Sequence, residues 1–301
     1  MSLRLKALLG AALAAAVGLS SPTPAGAESP TLSKIKSAGA ITLGYRESSI
    51  PFSYLGADQK PIGISMDLCA AIVERIKSEL KLGTLAVNYT PVNSSNRIPL
   101  IQNGTVDIEC GGTANNLTRQ KQVAFSVATF VSQPRWLIKT SSGVADVPAL
   151  KGKTVVVTQG SNAVGFAQEI NTKESLGLSI VQAKDHAESL LMVETGRAVA
   201  FLEDDILLAG LKAGARNPAA FAFLPEAYDK IYYGLMFPKD DPAFKTLVDG
   251  VLSGLMASGE FNRLYDKWFT RPIPPKNQNL DFPMSDALKE RVTRPSDKVD
   301  S

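Results

Sequence analysis

The sequence predicts an α/β fold of two lobes, each a sheet flanked by helices, joined by two crossing strands. Short apolar runs alternate with stretches of helical period, and the alternation occurs twice, in residues 28–137 and again in 138–237. Runs near 137–141 and 233–237 are placed to link the halves. Five apolar runs also end in polar residues: 41–45 in Arg46-Glu-Ser-Ser49, 106–109 in Cys110-Gly-Gly-Thr113, 154–157 in Thr158-Gln-Gly-Ser161, 178–181 near Asp185-His186, and 198–202 in Glu203-Asp-Asp205. In open α/β sheets, ligands gather outside the carboxyl ends of the strands. Ends that carry both signs of charge suit a zwitterion or an acid.

The elements follow in order. Residues 29–39 read as a short helix closed by Gly39, and 41–45 as a strand. Residues 51–54 are extended, and 58–63 make a turn between two short strands. Leu68, Ala71, Ile72, Ile76 and Leu80 share one face of a helix over 66–80, with Glu74, Lys77 and Lys81 mostly opposite. A strand at 85–90, a helix at 96–102 stopped by Gly104, a helical piece at 118–123 and a strand at 135–139 complete the first pass. The second has strands at 151–157, 178–182 and 198–202. Its helices lie at 163–169, from Asp185 and at 206–213. Asp185 and Glu188 form a capping box, and Gly196 stops that helix. A strand at 232–237 carries the chain back, and 242–258 and 260–269 are helical. The Pro- and Lys/Asp-rich tail, 271–301, wraps the surface.

Residues 1–27 read as a removable secretory signal. Arg4 and Lys6 precede an Ala/Leu/Val-rich stretch, and Ala25-Gly26-Ala27 is a cleavage pattern. The expected location is therefore the periplasm. The expected division is lobe 1 at 28–137 plus 238–301 and lobe 2 at 138–237. The formal charge of the 301-residue chain is only +3, and losing Arg4 and Lys6 reduces it further. Nothing in that balance supports nucleic-acid or membrane-surface binding. Export permits a disulfide between Cys69, in a helix, and Cys110, at a strand end, but does not require one; two buried free thiols are the plainer reading, and the sequence leaves the bridge open.

Several apparent motifs fail. Gly152-Lys-Thr154 resembles the end of a phosphate loop, but Val147 stands where the leading Gly belongs, and the tripeptide precedes its strand. His186 is the only histidine, so a zinc site or His pair is not expected, and no nucleophile-elbow pattern occurs. No metal, cofactor or catalytic set is expected. By position alone His186 reads as a solvated loop residue. Of Asp204 and Asp205, one would face the cleft and one would cap the following helix.

Six segments together carry a resemblance: 44–53, 96–105, 115–122, 183–186, 194–201 and 271–277. With them the chain resembles the periplasmic glutamate/aspartate-binding proteins of polar amino-acid ABC importers, family 3 solute-binding proteins. The resemblance implies a type II periplasmic binding protein fold, two lobes closing on a ligand between them. It implies that Arg46, Ser94 and Arg97 grip an acidic side chain and that Arg119 clamps the α-carboxylate. It also implies that His186 lines the cleft and that Asp204 receives the ammonium. A guanidinium can meet a carboxylate with two parallel hydrogen bonds, which suits these roles. Ser161 sits before a helix whose first N–H groups could face an anion. Thr113 lies between two departures from the family pattern: Gly112 stands where the family has Ser, and Ala114 where it has Thr. A third departure is Asn162, where the family has Thr. Each unmet buried polar group costs roughly 1–3 kcal/mol, about one to two decades of affinity.

The expected function is a periplasmic receptor that delivers an acidic or polar amino acid, glutamate or aspartate foremost, to ABC permease subunits. It would act without catalysis and as a monomer. Three alternatives stay open. One is a periplasmic enzyme on the same fold, resembling cyclohexadienyl dehydratase, with His186 or Glu109 as its acid. Another is a binding protein for a bulkier carboxylic acid. The last is a sensor that acts through another protein.

Overall fold

The computed structural model describes residues 29–299, so the expected signal at 1–27 lies outside the described residues. The hydroxyl of Ser29 accepts from Leu32 N–H to open α1 (Pro30–Ala38), which leads into β1 (Ala40–Tyr45). Three short strands, β2 (Ser48–Ser49), β3 (Ser53–Leu55) and β4 (Pro61–Ile62), form a small antiparallel sheet. There follow α2 (Ile64–Glu79), β5 (Ala86–Pro91), α3 (Arg97–Gln102), β6 (Ile108–Asn115), α4 (Leu117–Gln120), β7 (Ala124–Phe125) and β8 (Phe130–Ser132). The second pass runs β9 (Pro134–Lys139), β10 (Thr154–Thr158), α5 (Ala163–Lys173), β11 (Ser179–Ala183), α6 (His186–Glu194), β12 (Ala200–Asp204), α7 (Asp205–Gly214) and β13 (Phe221–Ala227). The chain closes with β14 (Ile231–Phe237), α8 (Pro242–Ala257), α9 (Glu260–Tyr265), β15 (Pro272–Ile273), β16 (Gln278–Asn279) and α10 (Asp286–Thr293).

Two large sheets organise these elements. One has the order β5-β1-β6-β14-β7, with β8 also on β14; the other has the order β11-β10-β12-β9-β13. In each, the first parallel strand lies between the second and third: β1 pairs in parallel with β5 and β6, and β10 with β11 and β12. The connections leave β1 and β10 in opposite directions, which opens a crevice at the carboxyl ends of β1/β6 and β10/β12. Both sheets thus carry a ligand-type crevice. The chain passes between sheets at 132–134 and 227–231, upstream of the crossing runs expected near 137–141 and 233–237. The reason is that β9 pairs wholly with β12 and β13, and β14 wholly with β6, β7 and β8.

The central strands are buried on both faces. Val155 and Val157 of β10 join a cluster with Trp136 and Leu202, while Val156 points into another with Leu137 and Phe201. The first sheet packs against α2 and α8 through Ile72, Phe130, Phe237 and Phe244. The capping box at α6 is present: Asp185 accepts from Glu188 N–H at 2.9 Å, and Glu188 reaches back to Lys184 N–H at 2.8 Å.

Three expectations are corrected. Cys69 and Cys110 are joined in a disulfide, not buried free thiols, because α2 packs directly on β6 and brings their Cα atoms to 6.2 Å. The strand expected at 106–109 does not stop at Cys110. It runs to Asn115 because its second half finds an antiparallel partner in β14, with Thr113 opposite Gly234. The tail is more than a surface wrap: it forms the β15–β16 hairpin and α10, whose Leu288 is fully buried. Among the described residues no helix is long and apolar enough to cross a membrane.

Reduction of the Cys69–Cys110 bridge is expected to lower unfolding free energy by about 2–4 kcal/mol, because it frees a long loop of the unfolded chain. Urea unfolding with and without reductant measures this. A native chain that titrates with two free thiols contradicts the bridge.

Candidate functional site

The crevices of the two sheets face each other, and their rims meet in one buried cluster. Arg46 leaves the end of β1 and is only 2 % exposed. Its backbone N–H donates to Ser53 Oγ, which holds the turn that aims the side chain. Arg97 opens α3, Thr113 and Glu109 lie on β6, and Arg119 lies on α4. From the other sheet come Thr158 at the end of β10, Ser161 before α5, His186 at the start of α6, and Glu203 and Asp204 at the end of β12. All are buried.

The hydrogen bonds show how the cluster is held. Arg46 Nη2 donates to Ser94 Oγ at 3.0 Å and lies 3.3 Å from His186 Nε2, so this guanidinium bridges the two sheets. Arg97 Nη1 donates to Thr113 Oγ1, which donates to Glu109 Oε2 at 2.6 Å. Arg119 donates to the Ala114 carbonyl at 2.8 Å and, across the crevice, to the Gly160 carbonyl at 3.1 Å. Asn162 Nδ2 donates to Asp204 Oδ1 at 3.2 Å, and the Tyr233 hydroxyl donates to Asp204 Oδ2. Arg46 Nη1 and Arg97 Nε are buried donors with no protein acceptor. The two halves approach so closely that a Cβ at Gly160, whose φ is +75°, would lie 2.7 Å from the backbone of Ser94 and Ser95.

Charge in the cluster is unbalanced. Three guanidinium groups, Arg46, Arg97 and Arg119, face the carboxylates of Glu109 and Asp204, which leaves one positive charge uncompensated when Glu203 is neutral. Burial, and next the Asp204 carboxylate, push the Glu203 carboxyl up to about 8. Burial also raises Asp204, to about 6, against the opposing hydrogen bonds from Tyr233 and Asn162. Burial first, then Arg46 and Arg97, hold the His186 imidazole well below its usual value, so it is neutral near pH 7. Burial lowers Arg46 and Arg119 as well, yet a guanidinium stays charged at neutral pH.

The structure brings the sequence-expected residues Arg46, Ser94, Arg97, Thr113, Arg119, Ser161, Asn162, His186 and Asp204 into this one cluster. His186 is buried at the first turn of α6, not solvated as its position alone suggests, because Thr158 and Arg46 enclose its ring. Of the acid pair, Asp204 faces the cluster, and Asp205 accepts from Ile206 N–H and Ser132 Oγ–H. At Gly112 a Cβ would meet the Tyr233 ring at 2.9 Å and the Phe52 ring at 3.0 Å, so these two rings fill the side-chain space. Ala114 instead offers its carbonyl to Arg119. Sequence reasoning named Thr158 and Glu203 among the polar strand ends without a binding role, and did not place Tyr233 here. Glu203 carried a legible signal, an acid directly after an all-apolar strand core; Tyr233 carried none, because only the β14–β6 pairing puts it there.

A groove of about 500 Å3 lies elsewhere, between Ile50, Leu190, Leu211 and the Pro274-Pro275 turn. Beside the cluster a cavity of about 80 Å3 is lined by Arg46, Asn93, Asn96, Lys184 and Asp185. The chemistry, not the volume, marks the site: three arginines, two carboxylates and unpaired donors converge there.

Comparison with known proteins gives a consistent result. Residues 41–271 match the model of the bacterial extracellular solute-binding proteins, family 3. An L-glutamate/L-aspartate-binding protein of Pseudomonas aeruginosa is 50% identical over 97% of both chains. A glutamate/aspartate import solute-binding protein of Escherichia coli is 44% identical over 99% of both. Among solved structures, an ABC uptake transporter substrate-binding protein from Streptococcus pneumoniae with bound histidine superposes with a TM-score of 0.70 at 21% identity, covering 79% of this chain and 95% of that one. An ancestral amino-acid-binding protein described as a precursor of cyclohexadienyl dehydratase gives 0.69 at 24% identity, covering 80% of this chain and all of that one. Both structures share the fold.

Two outcomes are expected. Stability falls as pH rises from about 4.5 to about 8, because the unfolded chain releases the Glu203 proton throughout a range in which the folded chain retains it. Thermal unfolding across that range shows the decline, and Glu203→Gln makes it shallower. Gly112→Ser costs about 1–3 kcal/mol in urea unfolding, because its Cβ must displace a packed ring.

Proposed function

The chain belongs to the bacterial extracellular solute-binding proteins of family 3, and we propose that it captures glutamate or aspartate in the periplasm for an ABC importer. One observation carries the choice of ligand. Three buried arginines, two of them with unpaired donors, outnumber the facing carboxylates by one charge while Glu203 stays protonated. An acidic amino acid has two carboxylates and one ammonium, a net charge of minus one, and so restores neutrality. The relatives named for glutamate and aspartate, at 44% and 50% identity, point the same way.

The roles then divide between the sheets. Arg46, Ser94 and Arg97 take the side-chain carboxylate, with His186 closing on it from the second sheet. Arg119 takes the α-carboxylate, with Ser161 and the N-terminal turn of α5 on the opposite side. Asp204, oriented by Asn162 and Tyr233, takes the ammonium. Thr113 fixes Arg97. Gly112 and Ala114 bring no hydroxyl, and the Phe52 and Tyr233 rings close that wall.

Because the ligand contacts both sheets, it favours the arrangement in which they are closed. Each sheet with its helices acts as a lobe, and the passages at 132–134 and 227–231 absorb the motion. The closed monomer presents both lobes at the spacing that a membrane permease recognises. The chain reaches that compartment through the signal at 1–27 and acts by binding, without turnover.

Calorimetric titration of refolded, ligand-free chain tests this. L-Glutamate or L-aspartate is expected to bind at micromolar or tighter affinity, and dicarboxylic acids lacking the amine at least about tenfold more weakly, because Asp204 is then unmatched. Arg119→Met is expected to lose about two decades or more. No heat with either amino acid overturns the proposal. Consumption of prephenate or arogenate would replace it with the enzyme reading.

A further inference from the structure

The binding scheme uses neither Glu109 nor Glu203; Glu109 anchors the Thr113 hydroxyl that holds Arg97, whereas Glu203 has no such link to an arginine. It is 1 % exposed, its Oε2 has no hydrogen-bond partner, and that atom lies 3.4 Å from His186 Nδ1. Its Oε1 accepts from Asp204 N–H at 3.2 Å, but a buried carboxyl with one oxygen unpartnered is costly, and a strand core of Ala200-Phe-Leu202 could have continued with an apolar side chain. Its position against the lone histidine calls for a physical role.

The hydrogen bonds around His186 fix its tautomer. The Asp185 carbonyl can only accept, so Ser189 Oγ–H donates to it at 3.0 Å. Thr158 Oγ1–H therefore donates to Ser189 Oγ at 2.9 Å. That leaves a lone pair of Thr158 facing His186 Nδ1 at 2.9 Å, so Nδ1 carries the hydrogen. Nε2 is then bare and accepts from Arg46 Nη2. A bare nitrogen cannot donate to a carboxylate and repels one. For His186 to help hold an acidic ligand, Nε2 must gain a hydrogen, and the ring must become an imidazolium beside Arg46 and Arg97.

We infer that Glu203 is a positioning residue: it is the counter-charge that lets His186 take up a second proton when the ligand's side-chain carboxylate arrives between His186 and Arg46. The inference rests on the acidic-ligand reading above. Near neutral pH the exchange is internal to the pair. The Glu203 O–H bond breaks, an Nε2–H bond forms by exchange through solvent, and the proton count of the protein does not change. At higher pH, where free Glu203 is already ionised, the same event draws one proton from solution. Ligand capture thus becomes proton-linked only on the alkaline side.

The other groups facing the pair cannot substitute. Arg46 and Arg97 disfavour a charged ring, and Arg119, a third cation, offers no counter-charge. Asp204 is held by Asn162 and Tyr233, and Glu109 by Thr113. Tyr233 stays neutral because burial and Asp204 raise it. Lys184 and Asp185 line the outer cavity.

The test is titration of wild type and Glu203→Gln with L-glutamate in two buffers of different ionisation enthalpy, at about pH 7 and about pH 8.5. For wild type, proton uptake is expected near zero at the lower pH and to approach one per ligand at the higher. For Glu203→Gln the ring stays neutral, so uptake near zero is expected at both pH values, with affinity weakened at least about tenfold. Proton uptake by the ligand's own amine at the higher pH is common to both proteins and cancels in the difference between them. Because His186 is the only histidine, nitrogen NMR of the labelled wild-type ring reads the same event without a variant. Both ring nitrogens should carry hydrogen in the complex near neutral pH, and only Nδ1 in the free protein. Binding with a neutral ring, or with an uptake profile that Glu203→Gln leaves unchanged, overturns the inference alone. Failure of both amino acids to bind at either pH overturns the ligand reading, and the inference falls with it.

Discussion

Three guanidinium groups share one dry crevice, and the rest of the architecture answers that constraint. Burying like charges together is unfavourable unless counter-charges and hydrogen bonds surround them. Neither sheet supplies enough of these alone. Arg46 relies on Ser94 from its own half and meets His186 from the other, and Arg119 reaches the Ala114 carbonyl on one side and the Gly160 carbonyl on the other. The halves are held face to face by the same groups that would hold a ligand. Recognition and closure are therefore one electrostatic problem.

Topology solves the placement. In both sheets the first parallel strand sits between the second and third, so each sheet offers its crevice at the same end. An antiparallel strand then completes each sheet and returns the chain. The return strand of the first sheet does a second job. By pairing with β6 it extends that strand past Cys110 to Asn115 and sets Tyr233 against Asp204. The wall made by Phe52 and Tyr233 leaves Gly112 no room for a side chain, so the missing hydroxyl at that position and the packed rings are one feature.

Much of this was legible in the sequence, for reasons that can be named. The 3.6-residue stripe of 66–80 and the apolar runs at 41–45, 154–157 and 198–202 follow from local periodicity, and the polar residues that end them located both crevices. The Asp185–Glu188 cap was readable because its partners are three residues apart. What escaped depended on contacts distant in sequence. The Cys69–Cys110 bridge needs α2 laid on β6, and the full length of β6 needs β14, more than a hundred residues later. His186 looked solvated because nothing near it in sequence reveals that Thr158 and Arg46 enclose it. Glu203 shows the opposite failure: it was visible as a strand-end acid, but its neighbour Asp204 drew the attention.

The Cys69–Cys110 bridge adds a condition of place. Cys110 immediately precedes Gly111 and Gly112 and lies between Glu109 and Thr113, on the strand that anchors Arg97. The covalent staple therefore fixes the recognition strand itself as well as the core behind it. In a reducing environment that strand is held by its pairing with β1 and β14 and by packing, and oxidation adds a covalent lock. Oxidation would thus act as a postmark, separating chains that have met an oxidising environment from those that have not.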